Sequence, residues 1–184
     1  MIKLPPDFEL DRYGLHVRLV NENDAKFILK LRTDPTLNKY IHKTDEDVAS
    51  QVAWIRKYKL RERDGIEFYF IFSYNGVEYG VDRLYKIHNK DFVSGSWLFL
   101  PSSPVGVSAL AGIITKEIAY DVLNLENDFA DIRKQNKSVI RYMMMFKPSI
   151  IREDAENIYL HFEKSKFNEC KKTLIDICEG SLSK

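Results

Sequence analysis

Cysteine and histidine are the side chains best able to hold a metal or form a covalent bridge, and their spacing here argues against both. Cys170 and Cys178 lie eight residues apart. On a helix that is close to two turns, which puts them on one face but about 12 Å apart by helical rise. A disulfide within one helix cannot span that. There is no Cys-x-x-Cys pair, and His16, His42, His88 and His161 are isolated from one another. The expectation is therefore no metal site. The less ordinary feature is ring content: 11 Phe, 10 Tyr and 2 Trp. So many rings imply a large core, a ligand cleft, or both.

Charge narrows the partners. Lys and Arg total 28 against 27 Asp and Glu, a net charge of +1. That balance speaks against a chain built to hold nucleic acid or an anionic membrane. Hydrophobic residues make up 45% and charged residues 30%, which excludes a disordered chain. With 184 residues, one domain over 1–184 is expected, and it needs no metal or disulfide to hold it together. The start, Met1-Ile2-Lys3-Leu4-Pro5-Pro6-Asp7, lacks the apolar stretch of a signal peptide. No run of 18 uncharged apolar residues occurs, so no membrane span is expected and the cytoplasm is the default location.

These residues need a scaffold, and the patterning supplies its order. Leu15 to Val20 alternates and predicts a first strand, followed by the capping run Asn21-Glu22-Asn23-Asp24. Ala25, Ile28, Leu29 and Leu31 predict a short helix, and 45–63 a second one. Glu67 to Tyr74, the Asn75-Gly76 turn, Val77 to Ile87 and Phe92 to Leu100 predict an antiparallel three-strand meander. A compact loop, Pro101 to Gly106, leads into a long helix over 108–125 with a wide apolar arc. A strand over 129–134, a helix over 137–146, a hairpin built from Ile150-Ile151 and 158–162, and a helical tail over 165–179 complete the chain. The fold class is mixed α/β: an antiparallel first half, then a parallel crossover.

This order, with particular residues, resembles the GNAT superfamily of acyl-CoA N-acyltransferases. It is most similar to the branch holding ribosomal-protein and amino-sugar N-acetyltransferases. The resemblance covers about residues 13–167. It is carried by Leu15-His16-Val17-Arg18-Leu19-Val20-Asn21-Glu22-Asn23-Asp24, Leu31-Arg32-Thr33-Asp34, Gln51-Val52-Ala53-Trp54-Ile55, Gly80-Val81-Asp82-Arg83-Leu84, Gly95-Ser96-Trp97 and Asn136-Lys137-Ser138. It implies a twisted, mostly antiparallel sheet of about seven strands flanked by helices, with acetyl-CoA as acyl donor.

The resemblance also implies where each role falls. The family's phosphate-binding loop corresponds to Ser103-Pro104-Val105-Gly106-Val107-Ser108, followed by Ala109. Gly106 keeps the expected place, while Ser103 and Ser108 depart from the pattern. No Lys or Arg occurs between Pro101 and Ala111, so a pyrophosphate there would rest on backbone N–H groups and the helix dipole. The plainer reading is a Pro/Gly loop capping a helix. Leu98, Phe99 and Leu100 would offer backbone groups to pantetheine, and Asn136 would touch its arm or simply cap the next helix. At the family's proton-donor position stands Met143, leaving its neighbour Tyr142 as candidate acid. Val93-Ser94 stands where an acid often precedes Gly-Ser-Trp, leaving Asp82, Asp91 in the turn and Ser96 as polar candidates. Asp82 alternatively pairs with Arg83 or a lysine at the surface. Arg32, Tyr40, Trp54 and Tyr58 are expected at the acceptor cleft, Arg32 against a substrate anion. The expected acceptor is a small-molecule amine such as a free or nucleotide-linked amino sugar, with a protein N-terminus second. A catalytically impaired acyl-CoA sensor and an interaction module remain the rivals, and a homodimer is an open assembly.

Overall fold

In the computed structural model, residues 3–41 and 44–182 are described; Met1, Ile2 and His42 of the sequence reading lie outside them. One sheet of eight strands runs β1 (Glu9–Arg12), β2 (Leu15–Leu19), β3 (Phe68–Tyr74), β4 (Val77–His88), β5 (Asp91–Phe99), β6 (Asn127–Arg133), then β8 (Asn157–Glu163) and β7 (Ser149–Glu153) at the far edge. Every pairing is antiparallel except β5 with β6. Sequence patterning misses β1, whose alternation is too short to stand out; it pairs with β2 around Tyr13 and Gly14, both at positive φ.

Helices cover both faces of the sheet. Phe68 to Phe72 are all buried because successive side chains meet opposite cores. Phe68, Phe70 and Phe72 join Leu15, Val17 and Leu84 under α3 (Val107–Glu117) and α5 (Lys164–Leu182). Tyr69 and Ile71 join Val81 and Leu98 under α1 (Ala25–Thr33) and α2 (Val48–Arg63). The Asn75-Gly76 turn has φ of 49° and 75°, the doubly left-handed geometry that matches strand twist.

Two helices differ from the expected form. The predicted single helix over 108–125 is α3 followed by a wider turn over Ile118–Val122. It is buried nearly all round, Thr115, Lys116 and Glu117 included. The polar side chains are matched: Lys116 pairs with Asp128, and Glu117 with Arg12 and Lys171. The tail, expected as an extension, is integral: Phe167, Leu174, Ile175 and Cys178 of α5 enter the main core. Both cysteines are free. No described helix is long and apolar enough to cross a membrane.

Candidate active site

β5 and β6 pair over Asp91, Phe92 and Val93 and then part. The parting has a local cause. The Asp128 carboxylate accepts the Ser94 backbone N–H at 3.1 Å and the Ser94 hydroxyl at 3.0 Å, so a side chain takes the donor the ladder would use next. Lys116 of α3 neutralises Asp128 and sits 3.9 Å over the Phe162 ring. Beyond this lock, 95–99 of β5 with Leu100, and 130–133 of β6, line a cleft of about 1380 Å³. That exceeds an ordinary single-ligand pocket and leaves room for two substrates.

β5 is kinked where it enters the cleft. Gly95 faces Arg83 and Leu98 faces Val81, so the single residue Asp82 opposes both Ser96 and Trp97. Ser96 has φ of +58°. This is a bulge, which leaves backbone groups outside the ladder and re-aims the next side chain. Trp97 thereby turns onto α3. Its Nε1–H donates to the Ser108 carbonyl at 2.9 Å, and its ring stacks on Tyr142 at 5.0 Å.

The loop before α3 ends on Gly106 at φ +101°. A Cβ there would lie 2.9 Å from the Cys178 carbonyl oxygen of α5, so the position needs glycine on two counts. Val107 is fully buried, and its N–H is spent on the Pro104 carbonyl. The N–H groups of Ser108 and Ala109, in the first helical turn, lack intrahelical acceptors. Val105, Gly106 and Ser108 border the cleft, as do Leu98, Phe99 and Leu100. The side chains of Val107 and Ala109 are not on its wall, so Ala109 has only its N–H to offer and Val107 is a packing residue. Asn136 is on the wall and also caps α4 (Lys137–Met144), accepting from the Val139 N–H at 3.4 Å.

Other expectations change. Tyr58 is not a cleft residue: it is fully buried, with its hydroxyl bonded to Glu62 and accepting from the Tyr69 N–H at 2.9 Å. Asp82 makes no surface pair. It is buried beneath the sheet, accepting from the Arg83 backbone N–H at 2.9 Å, with Thr115 and Lys116 beside it. Burial raises its carboxyl to about 7, although Thr115, the Arg83 N–H and Lys116 pull the other way. The Tyr142 hydroxyl donates to the Ala109 carbonyl at 2.9 Å, and burial pushes its pKa well up. Asp82, Ser94, Lys116, Gly112 and Tyr142 enclose a void of about 20 Å³, enough for one water. Ser94, Gly95, Trp97 and Met143 border both this void and the cleft.

The second half of the cleft lies over α1, α2 and β4. Arg32, Tyr40 and Trp54 line it, and Ser96 joins them along β5. Arg83, Tyr85 and Trp97 were missed as site residues. Strand alternation could have found Arg83, since its neighbours Asp82 and Leu84 face the other core. Tyr40 donates to the Gln135 carbonyl at 3.3 Å, bridging the α1–α2 segment to the β6–α4 turn. Among the described residues no group of metal-ligating side chains forms.

Solved structures carry this architecture. The chain is 36% identical to FdhC, described as a nucleotide-linked sugar GNAT, over 91% of this chain and 96% of that one, with a TM-score of 0.82. The ribosomal-protein-S5-alanine acetyltransferase of Vibrio fischeri is 14% identical over 88% of this chain and 99% of its own, TM-score 0.75. The spermidine N-acetyltransferase of Vibrio cholerae, solved with CoA and spermine, is 14% identical over 85% of this chain and 99% of its own, TM-score 0.72. The last two show likeness of fold. No family model and no curated protein matches the chain. The chain belongs to the GNAT family of N-acetyltransferases.

Proposed function

We propose that the protein transfers an acetyl group from acetyl-CoA to the amino group of a nucleotide-linked amino sugar. The observation that carries this reading is the two-part cleft. One part is a strand gap leading to a helix N-terminus without cations. The other is walled by rings and by Arg32, Lys39, Arg83, Lys86 and Arg133. The 36% identity to a nucleotide-linked sugar GNAT supports the acceptor class.

The chain's own residues supply the rest. Acetyl-CoA brings an activated thioester. The Ser108 and Ala109 N–H groups and the α3 dipole receive its pyrophosphate. Unpaired backbone of β5 beyond Ser94 receives the pantetheine arm as an added strand. A backbone N–H freed from the ladder by the bulge at Ser96 would be the donor to the thioester oxygen, where negative charge develops. As the carbon–nitrogen bond forms and the carbon–sulfur bond breaks, the nitrogen loses one proton. Asp82 accepts it through a water in the void. A carboxyl titrating near 7 suits a base at neutral pH. Tyr142 has its proton committed to Ala109 and acts by holding Trp97 in place. The thiolate leaves without it and is protonated by solvent.

Thermal shift and thiol release test this together. Acetyl-CoA at 100 times its Kd adds about 2.7 kcal/mol of stability. A shift with acetyl-CoA, and thiol release when a nucleoside-diphosphate amino sugar is added, are expected. No shift with acetyl-CoA, CoA or longer acyl-CoAs overturns the reading. A shift without thiol release across an amine panel favours an acyl-CoA sensor.

A further inference from the structure

Arg83 is held in a way that packing alone does not explain. Its guanidinium stacks over Tyr85 at 4.4 Å and lies 5.7 Å from Trp54 and 6.0 Å from Tyr69. Its side chain is only 20% exposed. Its Nε is buried and, among the described residues, has no hydrogen-bond partner. The carboxylate beside it, Glu67, is engaged more closely by Arg61, at 2.6 Å against 3.4 Å for Arg83. Arg83 is therefore oriented by rings and only partly neutralised.

A second guanidinium converges on the same place. Arg32 and Arg83 both lie beside the Tyr69 hydroxyl. Burial pushes that hydroxyl up to about 12, and the two cations oppose the rise. Arg32 is braced by its Nε–H donating to Thr44 Oγ1 at 2.7 Å. Two guanidinium groups on one partly buried wall attract an anion that reaches both. Around them the cleft carries five cations against Asp45 and Asp131, in a chain whose net charge is only +1. Guanidinium forks match phosphate oxygens two at a time. Two forks beside Tyr69 suit an anion with several charged oxygens better than one carboxylate.

We propose that Arg83, with Arg32, forms the subsite for the phosphate groups of the nucleotide-linked acceptor, and that Arg83 makes the nucleotide a requirement for tight acceptor binding. This rests on the acceptor class proposed above. It gives the two anions of the reaction different receptors. CoA pyrophosphate meets backbone N–H groups at α3, and the acceptor phosphate meets guanidinium groups at β4 and α1.

The test is calorimetric titration with a pyrimidine nucleoside diphosphate and with its nucleoside, both under saturating CoA so that the CoA site is filled. The wild-type protein binds the diphosphate at least about tenfold more tightly than the nucleoside, as one lost charge-assisted contact implies. Arg83→Gln abolishes that preference, Arg83→Lys keeps part of it, and CoA affinity stays within about twofold. If Arg83→Gln does not fold, Arg32→Gln reads the same preference. Equal binding of diphosphate and nucleoside by wild type, or an undiminished preference in a folded Arg83→Gln, overturns the subsite. CoA binding without nucleotide preference sinks the subsite alone, whereas absence of CoA binding sinks the function proposed above.

Discussion

Asp82 is the residue whose position most changes the chemistry. Its type and strand were legible in the sequence, but not its environment. A surface pair with Arg83 is the ordinary outcome for adjacent opposite charges, yet strand alternation sends the two side chains to opposite faces. Buried beneath α3, the carboxyl titrates near 7 instead of near 4. The sign of the consequence follows. The folded-state pKa is raised, so stability is full below the unfolded pKa and falls as pH rises from about 4 through 7. At 1.36 kcal/mol per unit, the single group lowers stability by about 4 kcal/mol across that window. Asp82→Asn removes the loss: its thermal midpoint exceeds that of wild type at pH 8 and the gap closes toward pH 5. In the same variant the rise of kcat/KM through pH 7 disappears. Tyr142→Phe keeps the rise and loses less than about tenfold in kcat, because its hydroxyl is spent on Ala109. A flat wild-type profile, or a Tyr142→Phe loss of a thousandfold, contradicts these roles.

At the scale of elements, the sequence gives most strands and helices because their signals are local. Asn75-Gly76, the aromatic run 68–72 and the cap at Asn21 each act within a few residues. What it hides depends on partners distant in sequence. The stripe on α3 reads as one apolar face, whereas Lys116 and Glu117 are buried because Asp128, Arg12 and Lys171 meet them. The gap between β5 and β6 likewise needs Asp128 to capture Ser94, 34 residues away. The candidate site was therefore half legible. The loop, Asn136, Arg32 and Trp54 were readable, and Arg83 was readable from strand alternation though it was passed over; the void beside Asp82 was not. Lys116→Met tests the lock. It strands a buried carboxylate, which costs about 3–5 kcal/mol, or roughly 10 °C in thermal midpoint at 2–4 °C per kcal/mol for this size. A drop of less than about 1 kcal/mol would show that the pair does not hold the strands.

Across the whole molecule, α5 ties the far end of the chain to the acyl-donor loop. The Cys178 backbone lies against Gly106, where a Cβ would come within 2.9 Å of its carbonyl. Gly106→Ala forces the loop out of φ +101° and away from α5. The expected result is acetyl-CoA binding weakened by about tenfold or more, with the fold kept, since the strain is of order 1–3 kcal/mol. Unaltered acetyl-CoA affinity in that variant removes the loop from the site. In the proposed reaction the two cleft halves, one joined to α5 and one to α1 and α2, bring donor and acceptor together over the Ser96 bulge. Mass spectrometry of the products tests this central claim most directly. With acetyl-CoA and a nucleoside-diphosphate amino sugar, the sugar nucleotide gains the mass of one acetyl group at its amine. An unchanged sugar nucleotide, with acetyl appearing instead on an N-terminal peptide or on spermine offered alongside, contradicts it.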